Sequence, residues 1–394
     1  MIRIVEHFRI PRILLLTVGI WPYNQSTFVQ FQFLLFSIVS NSFIIFQLTA
    51  FLTSDCTVDL VIKILSTTSL LLMGIVHHMS YWINTYTVKY FVERLQHICN
   101  ELRDENEIAI IKKYANSAEY IAIFITLYTA CCGFIITFTQ IFPRILSTFL
   151  LVNISRPLYN VQFVTEYFID KEKNFYLIFI HICASLYIGT VAFAGTSLIS
   201  FTYFKHICGL FCIASYHMEQ SMMLNIHKKT NLWNNMEIDK KIIHAVDIHR
   251  TAIELSEFFI SNFNGTYFCV MLISVLCLSL NLYKLFLTVL FQDEIEEFLL
   301  HFIFATAILI HLFLANSCGE EITENYNNIF SAAYSVHWYA APIRIQKLIL
   351  FLLQRSCKTH GIKLGGIFIA SLEGFAALSA TSLSYFTVLY SLQK

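Results

Sequence analysis

Phe175–Ser200, FYLIFIHICASLYIGTVAFAGTSLIS, runs for 26 residues without one Asp, Glu, Lys or Arg. A hydrocarbon core of roughly 30 Å is crossed by about 20 apolar residues in a helix. Lipid offers backbone groups no hydrogen-bond partner, so such a run must satisfy them internally, and it lacks the two-residue alternation of a barrel strand. Six further stretches are long and apolar with at most one charged residue each: Phe31–Leu52, Leu60–Ile83, Ala118–Ile141, Thr266–Leu290, Phe298–Ser317 and Leu364–Leu392. The chain therefore reads as an all-α membrane protein with seven transmembrane helices embedded in a lipid bilayer. Composition agrees: 57% of the residues are hydrophobic and 13% charged, where soluble domains carry about a quarter charged. Formal net charge is zero, so nothing points to nucleic acid as a partner.

Lys and Arg placement sets the orientation. About nineteen of the 26 fall in the N-terminal segment and in the second-to-third, fourth-to-fifth and sixth-to-seventh connections, all on one side. That side is expected to be cytoplasmic, giving an internal N-terminus and, after seven spans, an extracellular C-terminus. The sequon Asn153-Ile154-Ser155 then lies outside, where Asn153 is open to glycosylation. A G-protein-coupled receptor would have the opposite orientation. The apolar stretch Ile13–Ile20 is too short for a cleaved leader and has no small-residue cleavage site. The 11 cysteines sit mostly in apolar runs with no CxxC pair, and read as small packed hydrophobes.

The cytoplasmic connections keep helical periodicity. Between Phe201 and Asn264, apolar residues recur at Ile238, Ile242, Ile243, Val246 and Ile253, so the spans are expected to continue below the membrane. His337–Arg355 reads as an amphipathic helix, with Ile343, Ile345, Leu348 and Leu352 opposite Arg344, Lys347 and Arg355. Gly361, Gly365 and Gly366 mark where one helix ends and another begins. The last span carries Glu373 and seven Ser and Thr side chains, which either mediate helix packing or line a wet path.

Ala333–Lys394 resembles the insect odorant receptor family. The residues that carry the resemblance are Tyr334, Trp338 and Tyr339, then Arg344 through Leu350 with Lys347 among them, then Gln354-Arg355-Ser356, and the terminal Ser382-Leu383-Ser384-Tyr385-Phe386-Thr387-Val388-Leu389. The Thr-Tyr…Gln-Phe ending usual in the related gustatory receptors is missing. The resemblance implies a ligand-gated, non-selective cation channel. In it, an odorant-binding subunit and the shared co-receptor subunit form a heterotetramer in the plasma membrane of olfactory neurons. It also implies assembly through a cytoplasmic anchor, to which Tyr334, Trp338, Tyr339, Arg344 and Lys347 belong, and a pore lined by the last helix. Aligning the terminal Tyr-Phe puts Val388 and Leu392 at the hydrophobic gate, beside Thr387 and Ser391, which depart from the co-receptor pattern. The chain lacks the co-receptor's long insertion between spans four and five, and so resembles the tuning type.

The expected organisation follows. Residues 1–30 form a cytoplasmic segment and 31–200 spans one to four. Residues 201–264 are cytoplasmic helical extensions, 265–318 spans five and six, 319–363 anchor helices, and 364–394 the pore-lining helix and a short extracellular tail. Asp293, Glu294, Glu296 and Glu297 read either as a cation-concentrating mouth or as a turn capping the sixth helix.

A small volatile ligand requires an apolar, aromatic-rich cavity with few polar anchors. By depth alone the candidates are Leu72, Met73, Val76, Phe134, Phe138, Phe179, Cys183, Tyr187, Tyr283, His301 and Phe302, with Tyr187 and His301 as polar handles. His77-His78 and the pair His301 and His311 lack metal-ligand spacing, and no catalytic motif or cofactor signature is present. A G-protein-coupled receptor, a gustatory-type receptor and a transporter are the competing readings. A transporter would show internal repeats and interrupted helices, which are not seen.

Overall fold

The computed structural model describes residues 4–150, 162–227, 235–291, 295–335, 338–340, 343–356 and 360–393. Two short N-terminal helices, α1 (Ile4–His7) and α2 (Arg9–Thr17), precede α3 (Thr27–Leu48) and its one-turn continuation α4 (Ala50–Thr53). Then come α5 (Val58–Ile83), α6 (Thr85–Glu101), α7 (Glu105–Leu150), α8 (Phe175–His227), α9 (Asn235–Phe291) and α10 (Ile295–Ser335). A 3₁₀ turn at Trp338–Ala340 leads to α11 (Ile343–Ser356). The strands β1 (Lys363–Leu364) and β2 (Phe368–Ile369) then form a hairpin before α12 (Leu372–Gln393).

Helix starts follow local chemistry. Ser26 Oγ accepts from Val29 N ahead of α3, and Thr57 Oγ1 accepts from Leu60 N ahead of α5. Asp104 and Glu107 form a capping box for α7, with Glu107 Oε2 accepting from Asp104 N at 3.1 Å.

Among the described residues, six helical stretches are long and apolar enough to cross a membrane: Thr27–Thr53, Val58–Ile83, Glu105–Phe142, Phe175–Ser221, Lys240–Phe291 and Ile295–Ser335. The expected seventh span, α12, has 22 residues and is not among these six. It starts at Leu372 rather than at the expected Leu364, because Gly365 and Gly366 take φ of +61° and +72° and turn the chain into the hairpin. A Cβ on Gly365 would lie 2.4 Å from the Phe268 ring. Asn264 Oδ1 accepts from the Gly365 N–H, tying the hairpin to α9.

The 53 residues of α8 and 57 of α9 extend about 80 and 85 Å at 1.5 Å per residue. A bilayer core takes roughly 30 Å of each. The remainder projects from one face, where the largest buried cluster gathers. Phe8, between α1 and α2, Leu15 of α2, Phe91, Tyr203, Phe211, Phe259, Ile322, Tyr326 and Ile349 all lie within it. The N-terminal segment is thus helical and packed into this core. On α11, Ile345, Ile349 and Leu352 face inward; Ile343, expected on that side, is 73% exposed, together with Leu350 and Phe351.

Candidate functional site

A cavity of about 740 Å³ lies between α7, α8, α9 and α10. Its lining is mostly apolar: Ile125, Phe134 and Ile136 on α7, Cys183, Tyr187 and Phe193 on α8, Val270 and Met271 on α9, Phe304, Ile308 and Leu312 on α10. Such a volume suits a small molecule. The membrane stretch of α7 is far less enclosed than those of α8 and α9, so the cavity has one thinly supported wall.

Polar groups cluster toward the inner end. Ser200 Oγ lies 2.6 Å from Tyr267 Oη, and Tyr81 Oη joins both and donates to Thr196 O. Higher up, Phe193 packs between two imidazoles, with His77 edge-on at 5.1 Å and His311 tilted at 4.5 Å. His77 Nδ1 is 3.0 Å from Thr196 Oγ1, which occupies it. His311 lines the cavity and makes no hydrogen bond within the described residues. It is a polar group at the cavity wall that depth along the helix does not single out. His301 is instead buried outside the cavity, its Nδ1 2.9 Å from Asn281 Oδ1. Ten residues along α10 rotate a side chain by about 280°, so two histidines of one helix face different neighbours.

Of the candidates, Met73, Phe134, Cys183 and Tyr187 line the cavity. The other seven do not. Leu72, Phe138 and Phe302 point out of the bundle, and Val76 is half-buried beside Met271 and its neighbours. Phe179 stacks on Phe175, and Tyr283 is buried with Ile62 and Leu287 against Phe386, Leu389 and Tyr390 of α12.

The hairpin closes the inner end of the cavity with Ile362, Leu364, Phe368 and Ala370. No periodicity signals this, since the contact joins residues far apart in the chain. The hairpin and the first turn of α12 are clamped to α10: Ser371 N donates to Asn316 Oδ1 at 3.3 Å, and Leu372 N to Glu320 Oε2 at 3.1 Å. Between them, Gly319 lies flush against Ala370.

Beyond the clamp, α12 rests on α9 through Leu378, Ser382, Phe386, Leu389 and Tyr390. Thr381, Ser384, Thr387, Val388 and Ser391 form an exposed stripe on its other face. The Leu392 side chain, Asp293, Glu294 and Asn153 lie outside the described residues. Glu296 sits in the first turn of α10. Glu297 belongs to a four-charge network: its Oε1 is 2.9 Å from Lys63 Nζ and 3.2 Å from Lys284 Nζ, and both ammoniums also meet Asp59. Tyr334, Tyr339, Arg344 and Lys347 are exposed, whereas Trp338 packs onto the large inner cluster. The described cysteines are unpaired.

The sequence profile of the 7tm odorant receptor family matches residues 57–383. Odorant receptor 24a of Drosophila melanogaster is 21% identical over 320 residues, covering 78% of this chain and 76% of that one. Odorant receptor 10 of Aedes albopictus is 25% identical over 193 residues, 48% of this chain and 50% of its own. Among solved structures, the insect olfactory receptor OR5 of Machilis hrabei in complex with eugenol superposes with a TM-score of 0.79 at 16% identity, covering 99% of this chain and 97% of that one. A second structure of the same receptor superposes with a TM-score of 0.78 at 16% identity, covering 98% of this chain and 97% of that one.

Proposed function

The chain belongs to the 7tm odorant receptor family, and from that we propose that it is an odorant-binding subunit of a heteromeric cation channel. It is a multi-pass membrane protein, and on this reading it works in the plasma membrane with co-receptor subunits. A small volatile ligand enters the cavity between α7 and α10, and α12 lines the pore. One observation carries the reading: the hairpin that closes the cavity runs directly into α12. A ligand pressing on Leu364 or Phe368 therefore acts on the root of the pore helix without any intermediary.

Two features support the remaining parts. The exposed stripe of hydroxyls with Val388 gives the isolated subunit an unpartnered face suited to a wet channel, where a ring of apolar side chains closes by dewetting. The exposed Ile343, Leu350 and Phe351 on α11, next to Arg344 and Lys347, offer a second apolar surface for neighbouring subunits. With the positive face inside, the long helical extensions are cytoplasmic.

The test is current in cells expressing the chain with a co-receptor, challenged with a panel that begins with eugenol, the ligand bound by the Machilis receptor. Current is expected only with both chains present and without a requirement for G protein; dependence on a G protein would overturn the reading. In the same cells, His311→Leu is expected to weaken the response to alcohols, phenols and esters by about tenfold, the worth of one hydrogen bond. Responses to hydrocarbons of similar size should be unchanged. An equal loss for both ligand classes would remove His311 as the anchor.

A further inference from the structure

We propose that Glu107, His217 and His244 form a binding site for a zinc-like divalent cation at the inner ends of α7, α8 and α9. The three side chains come from three helices, and their ligand atoms all lie within 4.8 Å of one another. Both imidazoles present Nε2 to the same carboxylate oxygen, Glu107 Oε1, at 2.5 Å from His217 and 3.2 Å from His244. Two imidazoles and one carboxylate are a zinc ligand set, and imidazole nitrogen favours zinc, copper or nickel over magnesium or calcium.

The surroundings suit a metal. Glu107 and His217 are buried, which removes competing water, while His244 is about half exposed and gives an ion a way in. The second carboxylate oxygen is fixed from behind by the N–H groups of Arg103 and Asp104, at 3.2 and 3.1 Å, so Oε1 is held facing the two rings. His217 Nδ1 has no hydrogen-bond partner among the described residues. Without a metal, His217 Nε2 carries the proton it donates to Glu107; a cation displaces that proton from Nε2, and the unpartnered Nδ1 can take it up. Tetrahedral zinc with bonds of about 2.0–2.1 Å spaces its ligand atoms about 3.3 Å apart. The His244 contact already has that spacing, and the His217 contact must open by less than about 1 Å. Water fills the fourth position. Sequence spacing conceals the group, since 110 residues separate Glu107 from His217 and 137 separate it from His244.

The site ties the turn before α7 to α8 and α9 at the far end of the cytoplasmic extensions, well away from the cavity. Its test is independent of odorant response. The full-length chain is purified in detergent, stripped with EDTA and titrated with zinc chloride by calorimetry, with bound metal counted by plasma mass spectrometry. One equivalent should bind, and cobalt should give the visible absorption of a tetrahedral complex. His244→Ala, at a half-exposed position that the fold tolerates, should weaken zinc affinity at least tenfold, while His244→Cys should retain it through a thiolate. No uptake by the wild-type chain, or equal uptake by His244→Ala, would overturn the site.

Discussion

Gly319→Val is expected to abolish most of the odorant-evoked current and to lower the thermal midpoint of the purified chain. A Cβ at this position would lie 2.3 Å from the carbonyl oxygen of Ala370 and 2.6 Å from its Cβ. Both are parts of the backbone frame, so no flexible side chain can yield. Overpacking of this kind costs about 1–3 kcal/mol. Moving the hairpin off α10 also strains the two backbone hydrogen bonds from Ser371 and Leu372, each worth about 1 kcal/mol. Intrinsic helix propensity works the other way, since valine is better than glycine inside a helix by a few tenths of a kcal/mol. The contact outweighs the propensity, and a net loss of about 3 kcal/mol is expected. Gly319→Ala should show the same defect in milder form. Wild-type current together with a wild-type melting curve would show that the hairpin does not need this close seat.

Lys284→Met should be the second large effect, and a partner change should repair it. Lys284 is almost fully buried between Asp59, about half exposed, and Glu297. Its removal leaves two carboxylates sharing the Lys63 ammonium. Breaking a buried ion pair costs about 3–5 kcal/mol, and the exposure of Asp59 to solvent reduces this to about 2. Adding Asp59→Asn removes the surplus negative charge and should recover at least about 1 kcal/mol in a double-mutant cycle. Function should follow stability, because Phe286, on the next half-turn of α9, packs edge-on against Phe386 and Tyr390 of α12 at 5.7 and 5.1 Å. Peak current should fall in the single variant and rise again in the double. Additive losses from the two substitutions would mean that the four charges do not act as a unit.

What the residues alone disclosed, and what they did not, divides along the range of the interactions. Six of the seven apolar runs fall inside the long apolar helices, since such runs depend on local composition. The helical extensions were legible from Ile242, Val246 and Ile253, because periodicity is also local. The resemblance in the last 62 residues found the family, which the match over residues 57–383 shows. The hairpin was hidden: two glycines signal a break, but the pairing of Lys363 with Ile369 is a register decision made by packing on α9 and α10. The cavity was half legible. Depth can be counted along a helix, and it brought Met73, Phe134, Cys183 and Tyr187 to the wall. Azimuth cannot be counted without knowing the neighbours, so depth alone does not separate Leu72 from Met73, or His301 from His311. Glu107, His217 and His244 were invisible for the same reason.

The long helices carry a further consequence. One continuous backbone is stabilised in two different solvents. With the proposed cytoplasmic extensions, the core holding Phe8, Phe211, Tyr326 and Ile349 lies outside the bilayer and gains its stability by withdrawing apolar surface from water. Around the cavity, lipid tails compete on equal terms with side chains, and close fit must hold the helices together, as where Gly74 lies flush against the backbone of Gly189. Urea should therefore dissolve one half of the molecule while a harsh detergent loosens the other. The boundary between the two regimes falls near the hairpin.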